Sequence, residues 1–322
     1  MSYDVFLAAH GWADATHEPL AGDASARRYI RLYSGQKRAI LMIDPQDDTA
    51  RFTHISNHLR GLGLSAPEIY AQDAGLMLLE DFGNAQFAQV AKSEPNMEIP
   101  LYHAATDVVC HLETCGVPAI LPRAAPDTLA QMVEPAFTHY LPLLQSTGMD
   151  AKNDILARLT DLLAAHIPNE TVLVLRDYHA ENMIWMPERN HLQRVGLLDF
   201  QDALVGPPIY DLVSLLQDAR RDVTSACHTA TLRHYLDRSG RSEDAVIPAF
   251  HLLGLQRNLR ILGIFARLAS ERGKPGYLGL IPRVWGHIQT SLATPVARDI
   301  APLINGLFPE PTPDRLGQGA LT

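Results

Sequence analysis

Three polar residues near the middle of the chain have the types and spacing that phosphoryl transfer requires. Asp177 and Asn182 lie in the stretch LRDYHAEN, and Asp199 lies in LLDF. Phosphoryl transfer needs a group that orients the attacking hydroxyl and accepts its proton, and oxygen ligands that hold Mg²⁺ against the phosphates. Asp177 suits the first task. Asn182 and Asp199 suit the second, because magnesium prefers oxygen ligands.

The surroundings of these residues make the pattern informative, since D-x-x-x-x-N alone is common by chance. Asp177 ends the apolar run TVLVLRD, Asn182 begins NMIWMPE, and Asp199 ends RVGLLDF. Three strands are predicted there, so the polar groups are expected to converge at strand ends. The spacing, with Asp-Phe seventeen residues after Asn182, is that of kinase catalytic and metal-binding loops.

Neighbouring polar residues are candidates for contacts to an acceptor substrate. His179 follows the catalytic Asp, and Gln201 and Asp202 follow the metal-binding Asp. For His179 a structural role is the alternative, and for Asp202 a solvated turn. Asp211 opens an apolar helix after Gly-Pro-Pro. It either interacts with the helix dipole or accepts backbone N–H groups of the catalytic loop, and the two roles are compatible.

The elements around this site predict an α+β chain with two lobes. Turn residues separate three short strands between Pro19 and Pro45, apolar spacing predicts a helix over residues 51–62, and two further strands end at Gly83. Helices are predicted over 101–113, 129–144, 154–166, 210–219, 226–239 and 245–270. We therefore expect a small nucleotide-binding lobe over residues 1–83, with LLEDFG as connector, and a mainly helical catalytic lobe over 84–322.

Composition excludes several classes of protein. The 322 residues carry a formal net charge of −9 and only short Lys/Arg runs, so nucleic acid is not an expected partner. The three cysteines form no C-x-x-C pair, which argues against a disulfide framework or zinc site. The N-terminus lacks a signal-peptide pattern and no stretch is apolar enough to span a bilayer. The expectation is a cytoplasmic protein without membrane contact.

Several stretches resemble the aminoglycoside phosphotransferase and choline kinase superfamily. Within it, LAGDASARRYIRL, LLEDFG, LRDYHAENMIW and LLDFQDALVGPPIYDLVSLLQDAR are similar to the bacterial kinases that phosphorylate N-acetylmuramate and N-acetylglucosamine at the anomeric hydroxyl. The resemblance implies a protein-kinase-like fold that uses ATP and Mg²⁺. It implies that Asp177 is the base, that Asn182 and Asp199 are metal ligands, and that the backbone near Glu80 and Phe82 contacts adenine.

The sequence departs from the family pattern where the phosphates bind. Met42 occupies the strand position at which a kinase has the Lys that pairs with the α/β-phosphates, and the helix over 51–62 has no Glu for such a Lys. Arg27 or Arg28 is a candidate replacement, because the guanidinium group matches phosphate oxygens. Ser25 and nearby N–H groups are expected to cover the terminal phosphates. An Arg that only solvates a strand is the alternative.

Fold and motif leave the acceptor open, since one fold serves many acceptors. The first choice is an amino sugar. The same site chemistry also fits an aminoglycoside, choline or homoserine kinase. A nucleotide-binding protein without efficient catalysis is a third possibility because of Met42, although retention of Asp177, Asn182 and Asp199 argues against it.

Overall fold

A computed structural model describes residues 3–20, 27–118, 120–146 and 151–317. Its contacts divide the chain into two compact units. Unit 1 comprises Met1–Val108 and Ala180–Ala203, and unit 2 comprises Val109–His179 and Leu204–Thr322. Asn182 and Asp199 therefore belong to unit 1, whereas Asp177 belongs to unit 2. The lobe boundary placed after residue 83 stays a prediction.

Unit 1 combines antiparallel strands with helices, and helices dominate unit 2. The strands of the described residues are β1 (Thr16–Pro19), β2 (Arg28–Ser34), β3 (Lys37–Ile43), β4 (Ile69–Asp73), β5 (Leu76–Leu79), β6 (Val172–Val174), β7 (Met183–Trp185), β8 (Val195–Leu197) and β9 (Leu204–Gly206). The α-helices are α1 (Tyr3–Ala9), α2 (Thr49–Gly61), α3 (Phe87–Ser93), α4 (Glu98–Thr114), α5 (Pro126–Gln131), α6 (Leu141–Leu143), α7 (Lys152–His166), α8 (Tyr210–Leu216), α9 (Ser225–Ser239), α10 (Glu243–Glu271), α11 (Ile281–Leu292) and α12 (Ala301–Leu307).

Unit 1 is built on a five-stranded antiparallel sheet with the order β1-β2-β3-β5-β4. Gly75, in the turn before β5, has φ +79°, and a Cβ there would lie 2.4 Å from the Asp44 carbonyl oxygen, so only glycine fits. The predicted strands are confirmed, but the first begins earlier than expected, at Thr16. The part of that prediction that covers residues 21–26 lies outside the described residues.

Helices cover the sheet and the segment after it. Phe6 and Leu7 of α1 pack with Leu32 of β2, Leu41 of β3 and Leu78 of β5. The strand register places these three leucines on one face of the sheet. The predicted helix over 51–62 is observed as α2, which buries Phe52, Ile55 and Leu59. Leu62, the fourth residue of the expected apolar face, follows the helix and is only partly buried.

The hairpin of β7 and β8 also belongs to unit 1. The Leu197 N–H donates to the Ser65 carbonyl at 2.7 Å, and the Ser65 hydroxyl donates to the Gln193 carbonyl at 2.8 Å. At the other strand, the Trp185 N–H donates to the Ala85 carbonyl at 2.7 Å. These bonds fix the hairpin to the segments that flank β4 and β5.

Unit 2 surrounds the long helix α10. At Gly263 this helix approaches another segment so closely that a Cβ would lie 2.0 Å from the Pro135 carbonyl carbon. The single helix predicted over 129–144 is wrong. Helix α5 ends at Gln131, and a wide π-type turn over Ala136–Tyr140 precedes α6. Pro135 explains the break, because proline lacks the N–H of a helical hydrogen bond and clashes with the preceding turn.

Candidate active site

The loop that carries Asp177 follows β6 in unit 2. Asp211, near the start of α8, accepts the Leu175 N–H at 2.7 Å and the Arg176 N–H at 2.9 Å, one on each carboxylate oxygen. The Ser214 hydroxyl donates to the Arg176 carbonyl at 2.7 Å. Arg176 has φ 70°, a conformation that non-glycine residues adopt only when other contacts hold them there. The predicted supporting role of Asp211 depends on these contacts.

Asp211 is buried, with 4% of its surface exposed. Burial raises the pKa of Asp211 to about 7, although the two backbone N–H groups and Arg257 favour the charged form. The charge of Asp177 adds to the upward shift of this pKa. The Asp211 carboxylate therefore acts within the core of unit 2, and Asp177 is only partly buried.

His179, the predicted acceptor contact beside Asp177, is 3% exposed. Its Nε2 lies 3.2 Å from a guanidinium nitrogen of Arg220. Burial holds the pKa of His179 well below its usual value, and the positive charges of Arg220 and Arg257 lower it further. The imidazole is therefore neutral and accepts a hydrogen bond from Arg220. This environment favours the structural alternative, and acceptor contact by His179 stays a prediction.

The hairpin of β7 and β8 brings Asn182 and Asp199 together in unit 1. Met183 pairs with Leu197, and the Leu198 N–H donates to the Asn182 carbonyl at 3.0 Å. The side-chain amide of Asn182 lies 3.3 Å from one Asp199 carboxylate oxygen. Two residues 17 positions apart in sequence are thus adjacent because the strands between them pair.

Gln201 completes this group of oxygen-bearing side chains. Its amide nitrogen donates to the second Asp199 oxygen at 2.5 Å. Asp199 itself is exposed and has φ 56°, so its backbone is held in the left-handed region. Asp202, the next predicted acceptor contact, is also exposed. We call Asn182, Asp199 and Gln201 the amide–carboxylate cluster.

The amide–carboxylate cluster fits a magnesium ion. One carboxylate and two amide carbonyls are hard oxygen donors of the kind that Mg²⁺ takes, with water filling its other positions. The Gln201 carbonyl oxygen is buried and has no hydrogen-bond partner among the described residues. Exchange of the oxygen and nitrogen positions of the Asn182 amide would place its carbonyl oxygen next to Asp199. Among the described residues, no group of three or more His, Cys, Asp or Glu side chains forms a metal site.

The two candidate phosphate-binding arginines differ in their surroundings. The Arg27 Nε donates to Asp44 at 2.9 Å, with both side chains largely buried. Burial opposes ionisation of Arg27, but Asp44, Tyr29 and Asp199 favour it, and its net pKa change is upward. Arg27 therefore lies within electrostatic reach of Asp199.

Arg28 lies on the face of the sheet that α1 covers. It pairs with Ile43 on β3, and both Ile43 and Ile30 pack against the core beneath α1. Met42, which replaces the usual Lys, is completely buried. Ser25, the third predicted phosphate contact, lies outside the described residues. Unit 1 thus offers Arg27, rather than Arg28, on the side of Asp199.

The side chains of the connector after β5 contact other parts of unit 1, and some of its backbone groups form no hydrogen bond. The Glu80 carboxylate pairs with Arg189 and Arg60, and the Glu80 N–H donates to the Glu68 carbonyl at 2.8 Å. Arg189 also lies over the Phe82 ring, 5.1 Å from its centroid. The predicted adenine contacts at Glu80 and Phe82 therefore concern their backbone, because both side chains are occupied elsewhere in unit 1.

Sequence reasoning missed the residues that hold these groups in place. Arg31 is 5% exposed and binds Asp81 at 2.9 Å, Asn84 at 2.5 Å and the Gly83 carbonyl at 3.1 Å. The Arg27–Asp44 pair was missed as well. Both acids are visible in the sequence, since Asp44 directly follows β3 and Asp81 lies in the connector. No local pattern links either acid to an arginine many residues away.

A family model described as the phosphotransferase enzyme family matches residues 16–246. The N-acetylmuramate/N-acetylglucosamine kinase of Caulobacter vibrioides is 35% identical to the chain, over 92% of the chain and 93% of the relative. The kinase of the same name from Pseudomonas aeruginosa is 32% identical, over 90% and 88% respectively. These matches extend through both units.

The fold has solved counterparts. A choline/ethanolamine kinase family protein from Mesorhizobium loti superposes with a TM-score of 0.66, at 16% identity, over 94% of this chain and 98% of that one. In the part of the chain that the structure describes, no helix is both long and apolar enough to cross a membrane. The expected two-lobed, kinase-like α+β fold is confirmed, and the chain belongs to the phosphotransferase enzyme family.

Proposed function

We propose that this enzyme transfers the γ-phosphoryl group of ATP to the anomeric hydroxyl of N-acetylmuramate or N-acetylglucosamine. The observation that carries the chemistry is the amide–carboxylate cluster, which the β7–β8 hairpin fixes in the same unit as the connector. The choice of acceptor is supported by relatives with that name that align over nearly the whole chain.

Unit 1 supplies the nucleotide contacts in this proposal. Among the described residues, the Glu80 carbonyl and the Phe82 N–H have no hydrogen-bond partner, which suits one donor and one acceptor on adenine. Arg27, held by Asp44, is directed to the phosphates. Asn182 and Asp199 would hold a Mg²⁺ ion, which would supply neutralisation of charge on the phosphate oxygens.

Unit 2 supplies the base that accepts the proton of the sugar hydroxyl. The Asp211 carboxylate fixes the backbone of Leu175 and Arg176, which sets the direction of the Asp177 side chain. Asp177 orients the sugar hydroxyl and accepts its proton as the oxygen bonds to the γ-phosphorus. The bond from that phosphorus to the bridging oxygen breaks, and ADP leaves with the electron pair. Positioning and charge stabilisation supply most of the catalysis in such reactions.

An acceptor panel tests this proposal. We expect ADP formation with ATP and Mg²⁺ in the presence of N-acetylmuramate and N-acetylglucosamine, and a phosphorus NMR signal of an anomeric sugar phosphate. Kanamycin, choline and homoserine serve as competing acceptors. Turnover of one of these and of neither sugar would contradict the proposed acceptor.

Nucleotide binding without turnover of any acceptor would instead support the noncatalytic alternative. A thermal-shift assay with ATP and Mg²⁺ distinguishes a nucleotide-binding protein without turnover from a kinase that uses another acceptor. A shift without ADP formation across the panel indicates binding alone.

A further inference from the structure

One stripe of helix α10 is not covered by the rest of unit 2. From Leu252 to Leu268 every position is buried except Arg260, Ile264 and Arg267. At 3.6 residues per turn these three positions lie within about 60° of one another around the helix axis. The exceptions therefore form one continuous face, with an arginine at each end of about two turns.

Arg260 has no hydrogen bond or ion pair to any described residue, and its side chain is partly buried. Its neighbour Arg257 donates to the Gln217 carbonyl at 3.3 Å. Burial lowers the pKa of Arg260. The positive charges of Arg176 and Arg257 lower it further, whereas Tyr210 and Asp177 raise it. Arg260 thus lies within electrostatic reach of the proposed base, in a part of unit 2 rich in positive charge.

A guanidinium that has no protein partner and lies among other positive charges gains a partner when an anionic ligand binds. Arginine binds carboxylates with two parallel N–H bonds. The two proposed acceptors differ in this respect, because N-acetylmuramate carries a lactyl ether carboxylate and N-acetylglucosamine is neutral.

We propose that Arg260 binds the carboxylate of the anionic acceptor and so sets the preference between the two sugars. This inference rests on the proposed amino-sugar kinase function. It assigns to α10 one wall of the acceptor site in unit 2, with Ile264 as its apolar part.

The test measures kcat/KM for both sugars in the wild type, Arg260→Gln, Arg260→Lys and Arg272→Gln. The last is a control for lost charge, because Arg272 is exposed at the end of α10. We expect Arg260→Gln to lower kcat/KM for N-acetylmuramate about 10- to 100-fold, mainly through KM, and to change N-acetylglucosamine less than about 2-fold. Arg260→Lys should retain part of the preference, and Arg272→Gln should leave both sugars unchanged.

Thermal denaturation supplies a second readout. Arg260→Gln should not lower Tm, because no native pair is lost, whereas loss of a structural arginine would lower it. Equal losses for both sugars, or no loss for either, would overturn the inference while leaving the kinase function intact. A wild-type enzyme inactive on both sugars would instead reject the proposed function itself.

Discussion

The loop of Asp177 and the amide–carboxylate cluster are held in different ways. The loop is fixed from within unit 2, by a buried carboxylate whose two oxygens each accept a backbone N–H. The cluster is fixed by strand pairing in unit 1, and its central Asp199 is exposed. A proton acceptor requires a fixed direction, whereas a metal ligand requires access. The difference in support thus matches the difference in proposed role.

The largest expected effect comes from the residue at the end of the fixed loop. Asp177→Asn keeps the shape of the side chain and removes its ability to accept a proton. We expect kcat on an amino sugar to fall by at least about 10³-fold, within the range of general-base and positioning effects together. Steady-state kinetics checks this, and an Asp177→Asn enzyme with more than a tenth of wild-type kcat would refute the assigned role.

Removal of the Asp211 carboxylate, which supports the Asp177 loop, should have a smaller effect than Asp177→Asn. In Asp211→Asn, one of the two N–H groups loses its acceptor in a buried site, which costs about 1–3 kcal/mol of unfolding free energy. Urea denaturation measures this loss. Asp237→Asn is the matched control, because Asp237 is exposed on α9. Equal stability of the two variants would show that Asp211 does not hold the loop.

The paired arginines allow a comparison within unit 1. Arg27→Ala should raise the KM for ATP about 10-fold, the loss of one charge-assisted contact. Arg28→Ala should change it less than about 2-fold, because Arg28 lies on the face beneath α1. A larger effect at Arg28 than at Arg27 would reverse our assignment of the phosphate contact.

The last prediction concerns the sign of a pH dependence of stability. The native pKa of Asp211 is raised to about 7 by burial, above the ordinary value of 3.8. Between these values the folded state retains a proton that the unfolded state loses, so unfolding free energy falls as pH rises. The wild type should therefore lose stability relative to Asp211→Asn between about pH 4 and pH 7. Parallel melting curves at several pH values check the sign.

Local patterns were enough to predict much of the fold. The strands around β2, β3 and β5 and the helix α2 were found because alternation and three-to-four spacing are local properties. The helix predicted over 129–144 was wrong because Pro135 interrupts the segment, although the apolar spacing alone favours one helix. The close approach of Gly263 to this segment could not be seen from sequence.

Some features of the candidate site were predictable from local sequence and others were not. The proximity of Asn182 and Asp199 was predictable, since a short hairpin joins them. The pairing of Arg27 with Asp44 and the isolation of Arg260 were not predictable, because each depends on packing between segments far apart in sequence. Charged residues in helices usually find surface partners, so only the structure distinguishes Arg260 from its neighbours.

Asp199 is proposed as a metal ligand and Asp177 as the proton acceptor. These two roles are tested most directly by calorimetric titration of ATP, with and without Mg²⁺, into the wild type, Asp177→Asn and Asp199→Asn. Our account predicts that Mg²⁺ strengthens ATP binding at least about 10-fold in the wild type and in Asp177→Asn, and has little effect in Asp199→Asn. A magnesium effect that persists in Asp199→Asn, or one that disappears in Asp177→Asn, would contradict it.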